Sequence, residues 1–217
     1  MKKILALGVL LTMTGCADKN GNIFNPNLFG SKTQEVTTKE VATVADLKDI
    51  SITAGHFSDV EATYLQPNKT VPFTLSHDDA VMQLDSGKTF VKVFALPALE
   101  FDQGIHVISG ARETVVVPYL QLLDGQFQPV GDEVTATFVE KYDQFDLVAP
   151  VGDDYQSIRY VAIYSHQDDY GQRTQLFDAE QQHDKENGVD VPPKPWLKTT
   201  HVPVGNMTIK LERLTEE

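Results

Sequence analysis

The 217-residue chain is poor in cysteine, tryptophan and positive charge, and each shortage excludes something. Its one cysteine, Cys16, cannot close an internal disulfide, so the fold must be held by its core. Lys and Arg number 18 against 31 Asp and Glu, a formal charge of −13. An excess that large argues against nucleic acid as a partner and against adhesion of the protein surface to anionic lipid. It leaves neutral ligands or basic partner surfaces as the easier ones to accept. No apolar run reaches the ~20 residues a membrane-spanning helix needs. The chain has no G-x-S-x-G elbow and no H-E-x-x-H pair. Ser86-Gly87-Lys88-Thr89 looks like the end of a phosphate loop, but Met82 stands where its first glycine belongs. The segment also leads into a strand pattern, so it reads as a hairpin turn. No catalytic set, no cofactor motif and no metal site emerges.

What is present begins with an export signal. Lys2 and Lys3 precede a short apolar core over residues 4–13, and Thr14-Gly15 supply small residues before Cys16. Met13-Thr14-Gly15-Cys16 resembles a lipobox, where a prolipoprotein is lipidated on its cysteine and cut. Residues 1–15 then form the leader, and the loss of Lys2 and Lys3 takes the charge from −13 to −15. A diacylglycerol on the thiol and a further acyl chain on the amine give the two or more chains that stable anchoring requires. Sorting disfavours the outer membrane when Asp follows the lipidated cysteine directly. Here Ala17 follows and Asp18 comes one place later. The expected location is the periplasmic side of the outer membrane, with surface display left open.

Residues 16–43 read as the lipidated Cys16 and a flexible tether, with turn signals at Asn20-Gly21-Asn22, Asn25-Pro26-Asn27 and Gly30-Ser31. Residues 44–217 read as one domain. Residues 45–49 could make a helical turn, and residues 50–53 alternate like a strand. Further strand patterns lie at 70–75, 88–95, 104–109, 114–123, 126–130, 133–139, 157–165 and 206–211. Pro118 points to an edge or bulge in the fourth of these, and Asp124-Gly125 marks a hairpin. Many short strands between turn residues predict an all-β antiparallel sandwich, jelly-roll-like. One short surface helix is expected over residues 178–186, in the C-terminal third, with Asp178 as its N-cap and Gly188 past its end.

Few residues suggest a site. His77-Asp78-Asp79 and His166-Gln167-Asp168-Asp169 place histidine and carboxylate on one loop, but neither has metal-site spacing. Solvated loop acids explain them as well. Asp153-Asp154 could contribute to a calcium loop or be plain turn residues. Trp196 with Tyr142, Tyr155 and Tyr170 could form a platform for a sugar ring, with Asp168 and Asp169 binding hydroxyls. The alternative is that Trp196 plugs the core beneath the proline-rich run 191–196. Trp196, Tyr170, Asp168 and Asp169 are therefore the candidate ligand residues.

From Phe90 onward the chain resembles the maltose operon periplasmic protein family (MalM). The likeness is carried by Val91-Lys92-Val93-Phe94-Ala95-Leu96-Pro97, Val117-Pro118-Tyr119-Leu120-Gln121-Leu122-Leu123-Asp124 and Arg159-Tyr160-Val161-Ala162-Ile163-Tyr164-Ser165. It continues through Thr174-Gln175-Leu176-Phe177-Asp178, the helix, Gly188, the prolines, His201, Gly205 and the last strand. The resemblance implies an exported β-sandwich tied to maltose or maltodextrin uptake, and it brings no functional residues with it. The function expected is a non-enzymatic lipoprotein that is held in the membrane by lipid on Cys16 and binds a carbohydrate or an envelope protein. The alternative is an accessory subunit of an envelope assembly without a sugar ligand.

Overall fold

Among the described residues, runs of β-branched and aromatic residues separated by turn residues settle into fourteen strands. The computed structural model describes Leu47 and residues 49–214. The expected leader 1–15, Cys16, the tether 16–43 and the domain start at Val44 lie outside the described residues. Residues Val41–Glu217 form one compact unit. In chain order the strands are β1 (Ala62–Tyr64), β2 (Val71–Leu75), β3 (Ala80–Leu84), β4 (Gly87–Ala95), β5 (Gln103–Gly110), β6 (Thr114–Val115) and β7 (Tyr119–Asp124). Then follow β8 (Pro129–Thr135), β9 (Thr137–Val139), β10 (Gln144–Pro150), β11 (Ile158–Tyr164), β12 (Arg173–Gln175), β13 (Lys198–His201) and β14 (Gly205–Arg213). A helix, α1 (Ala179–Glu186), lies between β12 and β13.

The first large sheet runs β1-β4-β11-β7-β8, with β3 also on β4, and the second runs β2-β14-β5-β10-β9. The topology is a jelly roll. Take β2, β4, β5, β7, β8, β10, β11 and β14 as strands one to eight in chain order. The second sheet then reads 1-8-3-6 and the first 2-7-4-5. Every neighbouring pair among these eight is antiparallel. That is the double-sheet, double Greek-key pattern. The expected antiparallel sandwich needs one amendment, because the short additions β1 on β4 and β6 on β13 pair in parallel. β12-β13-β6 forms a small third sheet.

The core lies between the two large sheets. Phe90, Phe94, Leu120, Val161 and Ile163 of the first meet Leu75, Ile105, Val107, Leu147, Met207, Ile209 and Leu211 of the second. A second cluster covers the other face of the first sheet, where Ala54 and Val60, with Phe57 and Phe127, pack on Met82, Val91, Val93, Leu123, Ala162 and Tyr164.

Several local expectations change. Residues 50–53 are not a strand. The Thr53 hydroxyl accepts from Val81 N at 2.9 Å, and Thr53 N donates to Val81 O at 3.0 Å, so a side chain replaces one rung of a ladder. Leu47 and Asp49 are helical. The long strand expected over 114–123 divides at Pro118 into β6 and β7, which belong to different sheets. Residues 133–139 likewise divide, between β8 in the first sheet and β9 in the second. The Asp124 hairpin forms with a longer loop than a two-residue turn. Asp124 accepts from Gln126 N and Gln128 N, and Phe127 takes the positive φ of 60° while stacking on Tyr160 at 4.1 Å. The turn at residues 85–86 joins β3 to β4, and Gly87 is required there, since a Cβ would stand 2.0 Å from Gln167 Oε1.

The helix starts where expected. Asp178 caps it by accepting from Gln181 N at 3.0 Å, and Gln181 returns the bond to Asp178 N. Gly188, at φ 76°, follows its end. Its polar composition is explained by how it attaches. Gln181 is buried and donates to Pro192 O, and Gln182 donates to Glu140 O and Phe177 O. Amide hydrogen bonds hold the helix and the proline-rich run together where an apolar stripe usually would.

Candidate functional site

The last residues of β11 and the turn after it carry most of the polar chemistry that the sequence singles out. Tyr164 ends β11 directly opposite Tyr119, the first residue of β7. His166 lies flat on the Tyr119 ring, with centroids 3.6 Å apart and planes within 5°. It is also near-parallel to Tyr164 at 5.9 Å, and Phe57 stacks on Tyr164 at 6.2 Å. Two carboxylates close this row of rings. Glu133 of β8 accepts from the Tyr164 hydroxyl and pairs with His166 Nε2 at 3.1 Å. Asp169 accepts from the Tyr119 hydroxyl at 2.7 Å.

These contacts decide what the row can do. Burial, then the Glu133 carboxylate, pushes the Tyr164 phenol well above its ordinary value of 10. Burial, then the bond to Asp169 and the charges on Asp169, Glu133 and Asp168, does the same for Tyr119. Both phenols keep their protons, and neither can serve as a base near neutral pH. The carboxylates are engaged by those same protons. The arrangement ties β7, β8, β11 and the residues after β11 together, with Phe57 stacked at the Tyr164 end of the row.

The predicted site residues are placed as follows. Asp168 is exposed, and its backbone carbonyl accepts from Gln172 Nε2 at 2.8 Å. Asp169 is half-buried under Tyr119. Tyr170 belongs to the inter-sheet core, with its hydroxyl 2.8 Å from Ser165 Oγ and 3.3 Å from Thr89 Oγ1. Tyr155 also packs against that core. Tyr170 and Tyr155 therefore cannot join Trp196 and Tyr142 on an open platform, because covering their rings is part of forming the sandwich. The core-plug alternative for Trp196 fails as well, for it is 79% exposed. It sits in the turn closed by Leu197 N on Lys194 O at 2.9 Å. Lys194 pairs with Asp178, and Gln175 Nε2 donates to Lys194 O and Leu197 O, so both ends of the turn are pinned and its tip is left outside.

The other acidic pairs are turn residues. Asp79 accepts from Ser76 N at 2.8 Å and pairs with Lys92 at 2.9 Å. Asp153 and Asp154 stand exposed in a 3-10 turn over Gly152–Gln156. Among the described residues, no group of three or more His, Cys, Asp or Glu side chains is arranged to hold a metal ion. Sequence reasoning missed Tyr119, Tyr164 and Glu133. Nothing local marks them, since β7, β8 and β11 become neighbours only in the folded sheet.

No curated protein and no solved structure matches the chain. The family model described as maltose operon periplasmic protein precursor (MalM) matches residues 86–211, from the β3–β4 hairpin through most of β14. That span holds seven of the eight jelly-roll strands and is more than half of the chain, so this protein belongs to the MalM family of periplasmic proteins.

Proposed function

We propose that this periplasmic protein is a lipid-anchored, non-enzymatic accessory of maltodextrin uptake that binds carbohydrate close to the outer membrane. The observation that carries the reading is the family match over residues 86–211. MalM is not a known enzyme family. The engagement of Tyr119, Tyr164, Glu133 and Asp169 with one another also favours binding over catalysis. The lipobox pattern at Cys16 supports the anchor, with the acyl chains in the inner leaflet of the outer membrane. Mass spectrometry of the N-terminal peptide tests this directly. A diacylglyceryl thioether on Cys16 is expected, and Cys16→Ser should release the protein into the soluble periplasm. A free thiol on a wild-type protein that fractionates as soluble would overturn the anchor.

One observation favours a second reading, that of an accessory subunit in an envelope assembly. Trp196 is the only tryptophan and projects from a pinned turn, the kind of rigid aromatic anchor on which protein interfaces concentrate their binding energy. A photo-crosslinker at position 196 should then capture one defined envelope protein, and Asp168→Ala should leave that capture intact. An absence of any adduct in membranes that hold the full transport machinery would remove this reading.

A further inference from the structure

The two central strands of the second sheet part company at one end. β5 and β14 pair from Gln103↔Arg213 to Ile108↔Thr208 and no further. Yet both continue as strands. β5 stays on β10 as far as Gly110↔Gln144, and β14 stays on β2 as far as Gly205↔Leu75. Continued register would set Ser109 against Met207 and Gly110 against Asn206. Instead, a cleft of about 680 Å³ opens between the strands. Ser109, Gly110, Gly205 and Asn206 line it, and residues 112–116 and Val204 complete its walls. Its size falls in the range of small-molecule sites. Gly205 shapes one wall, because a Cβ there would lie 2.9 Å from Val116 Cγ2, and Val116 is itself buried in the core.

The lining is set up for hydrogen bonding and is largely unengaged. Ser109 is 1% exposed, and among the described residues its hydroxyl has no hydrogen-bond partner, a costly state for a buried polar group. Among the described residues, neither Arg112 nor Glu113 has an ion-pair partner. Asn206 Oδ1 accepts from Thr74 Oγ1 at 2.6 Å, which leaves its amide N–H groups as donors. Val115, Val116 and Val204 add an apolar wall.

We propose that this cleft is a binding site for a neutral saccharide. Arg112 and Glu113 cancel in charge while offering donors and acceptors side by side. Ser109 can serve as either, and Asn206 donates. Saccharide hydroxyls donate and accept in the same mixed fashion, while their C–H faces suit the valines. The acidic chain, at −13, repels an anionic ligand. The assignment rests on the carbohydrate-binding reading above.

Titration calorimetry on the full-chain lipoprotein in detergent, with maltotriose and maltohexaose, tests it alongside a neutral-glycan array. Wild type is compared with Ser109→Ala, with the double variant Arg112→Ala/Glu113→Ala and with Trp196→Ala, each checked for an unchanged melting temperature. The double variant exchanges only exposed side chains, so it keeps the test valid should Ser109→Ala fold poorly. Affinity should fall about tenfold or more in the double variant, as expected for losing hydrogen bonds from charged groups, and about fivefold in Ser109→Ala, which removes a neutral one. Saccharide binding that survives both cleft variants but is lost in Trp196→Ala would overturn the cleft and leave the carbohydrate reading standing. Cleft-dependent binding of a glycan other than maltodextrin would uphold the cleft and overturn maltodextrin as the ligand. No binding of any saccharide would overturn both.

Discussion

β4 and β14 are strands of equal length in sheets that face each other, and they bury their residues differently. In β4, Thr89 through Val91 and then Val93 and Phe94 are buried, so both faces are covered. The inner face meets the second sheet, and the outer face is roofed by Ala54, Phe57 and Val60. In β14 burial alternates, with Met207, Ile209 and Leu211 inward and polar residues between them outward. The outer face of that second sheet carries His106 between Asp146 and Glu212, with Lys210 on Glu212 at 2.8 Å. Buried apolar residues at successive positions, as at Phe90-Val91 and Val93-Phe94, thus report two covers, and an alternating strand reports a single cover with water opposite.

Substitutions ranked by expected cost test this difference between the sheets. Phe94→Ala, at the inner face of β4, should destabilise by about 3–5 kcal/mol in denaturant unfolding. Leu123→Ala lies on the outer face of the first sheet and should cost about 2–5 kcal/mol. A cost below about 0.5 kcal/mol would mean that the roof does not seal that face. Tyr164→Phe keeps the ring and removes the bond to Glu133, for roughly 1–3 kcal/mol. In the wild type, an ultraviolet titration should find Tyr119 and Tyr164 protonated well beyond pH 10 for as long as the fold survives. Lys210→Ala, on the wet face, should cost no more than about 1 kcal/mol.

A smaller effect depends on pH. Burial holds His201 below its ordinary value of 6.5, so the unfolded chain takes up the proton first as pH falls. The stability contributed by neutral His201 is complete above 6.5, declines as pH drops through that value and levels off below the folded-state pKa. His201→Gln should flatten this part of the profile, measured as the difference from wild type between pH 7.5 and pH 5.5. An unchanged difference would show that burial of His201 does not drive the dependence.

Much of the fold was legible because local patterns carried it. The apolar runs of β4 and β11, the alternation of β2 and β14, the Asp124 turn and the Asp178 cap each sit within a few neighbouring residues. No strand is read from the sequence at β10 or β13, and β13 is a short strand of a small sheet whose partners β6 and β12 come from other parts of the chain. Tyr170 is a candidate for the sugar platform in the sequence, yet its ring enters the core. Trp196 is open in the sequence between that platform and a core plug beneath the prolines, and the turn that carries it is tied at both ends and points its tip outward.

The sequence by itself determined the strand-rich class, the capped polar helix, the acidic charge and the family pattern, since all of these reside in composition and near-neighbour order. Only the tertiary structure decided which strands became neighbours, and with that the jelly-roll order, the Tyr119–His166–Glu133 row and the parting of β5 from β14. Pairing in a sheet joins residues more than a hundred positions apart, such as Gly104 and Glu212, and no local pattern encodes which distant strand a given edge will meet.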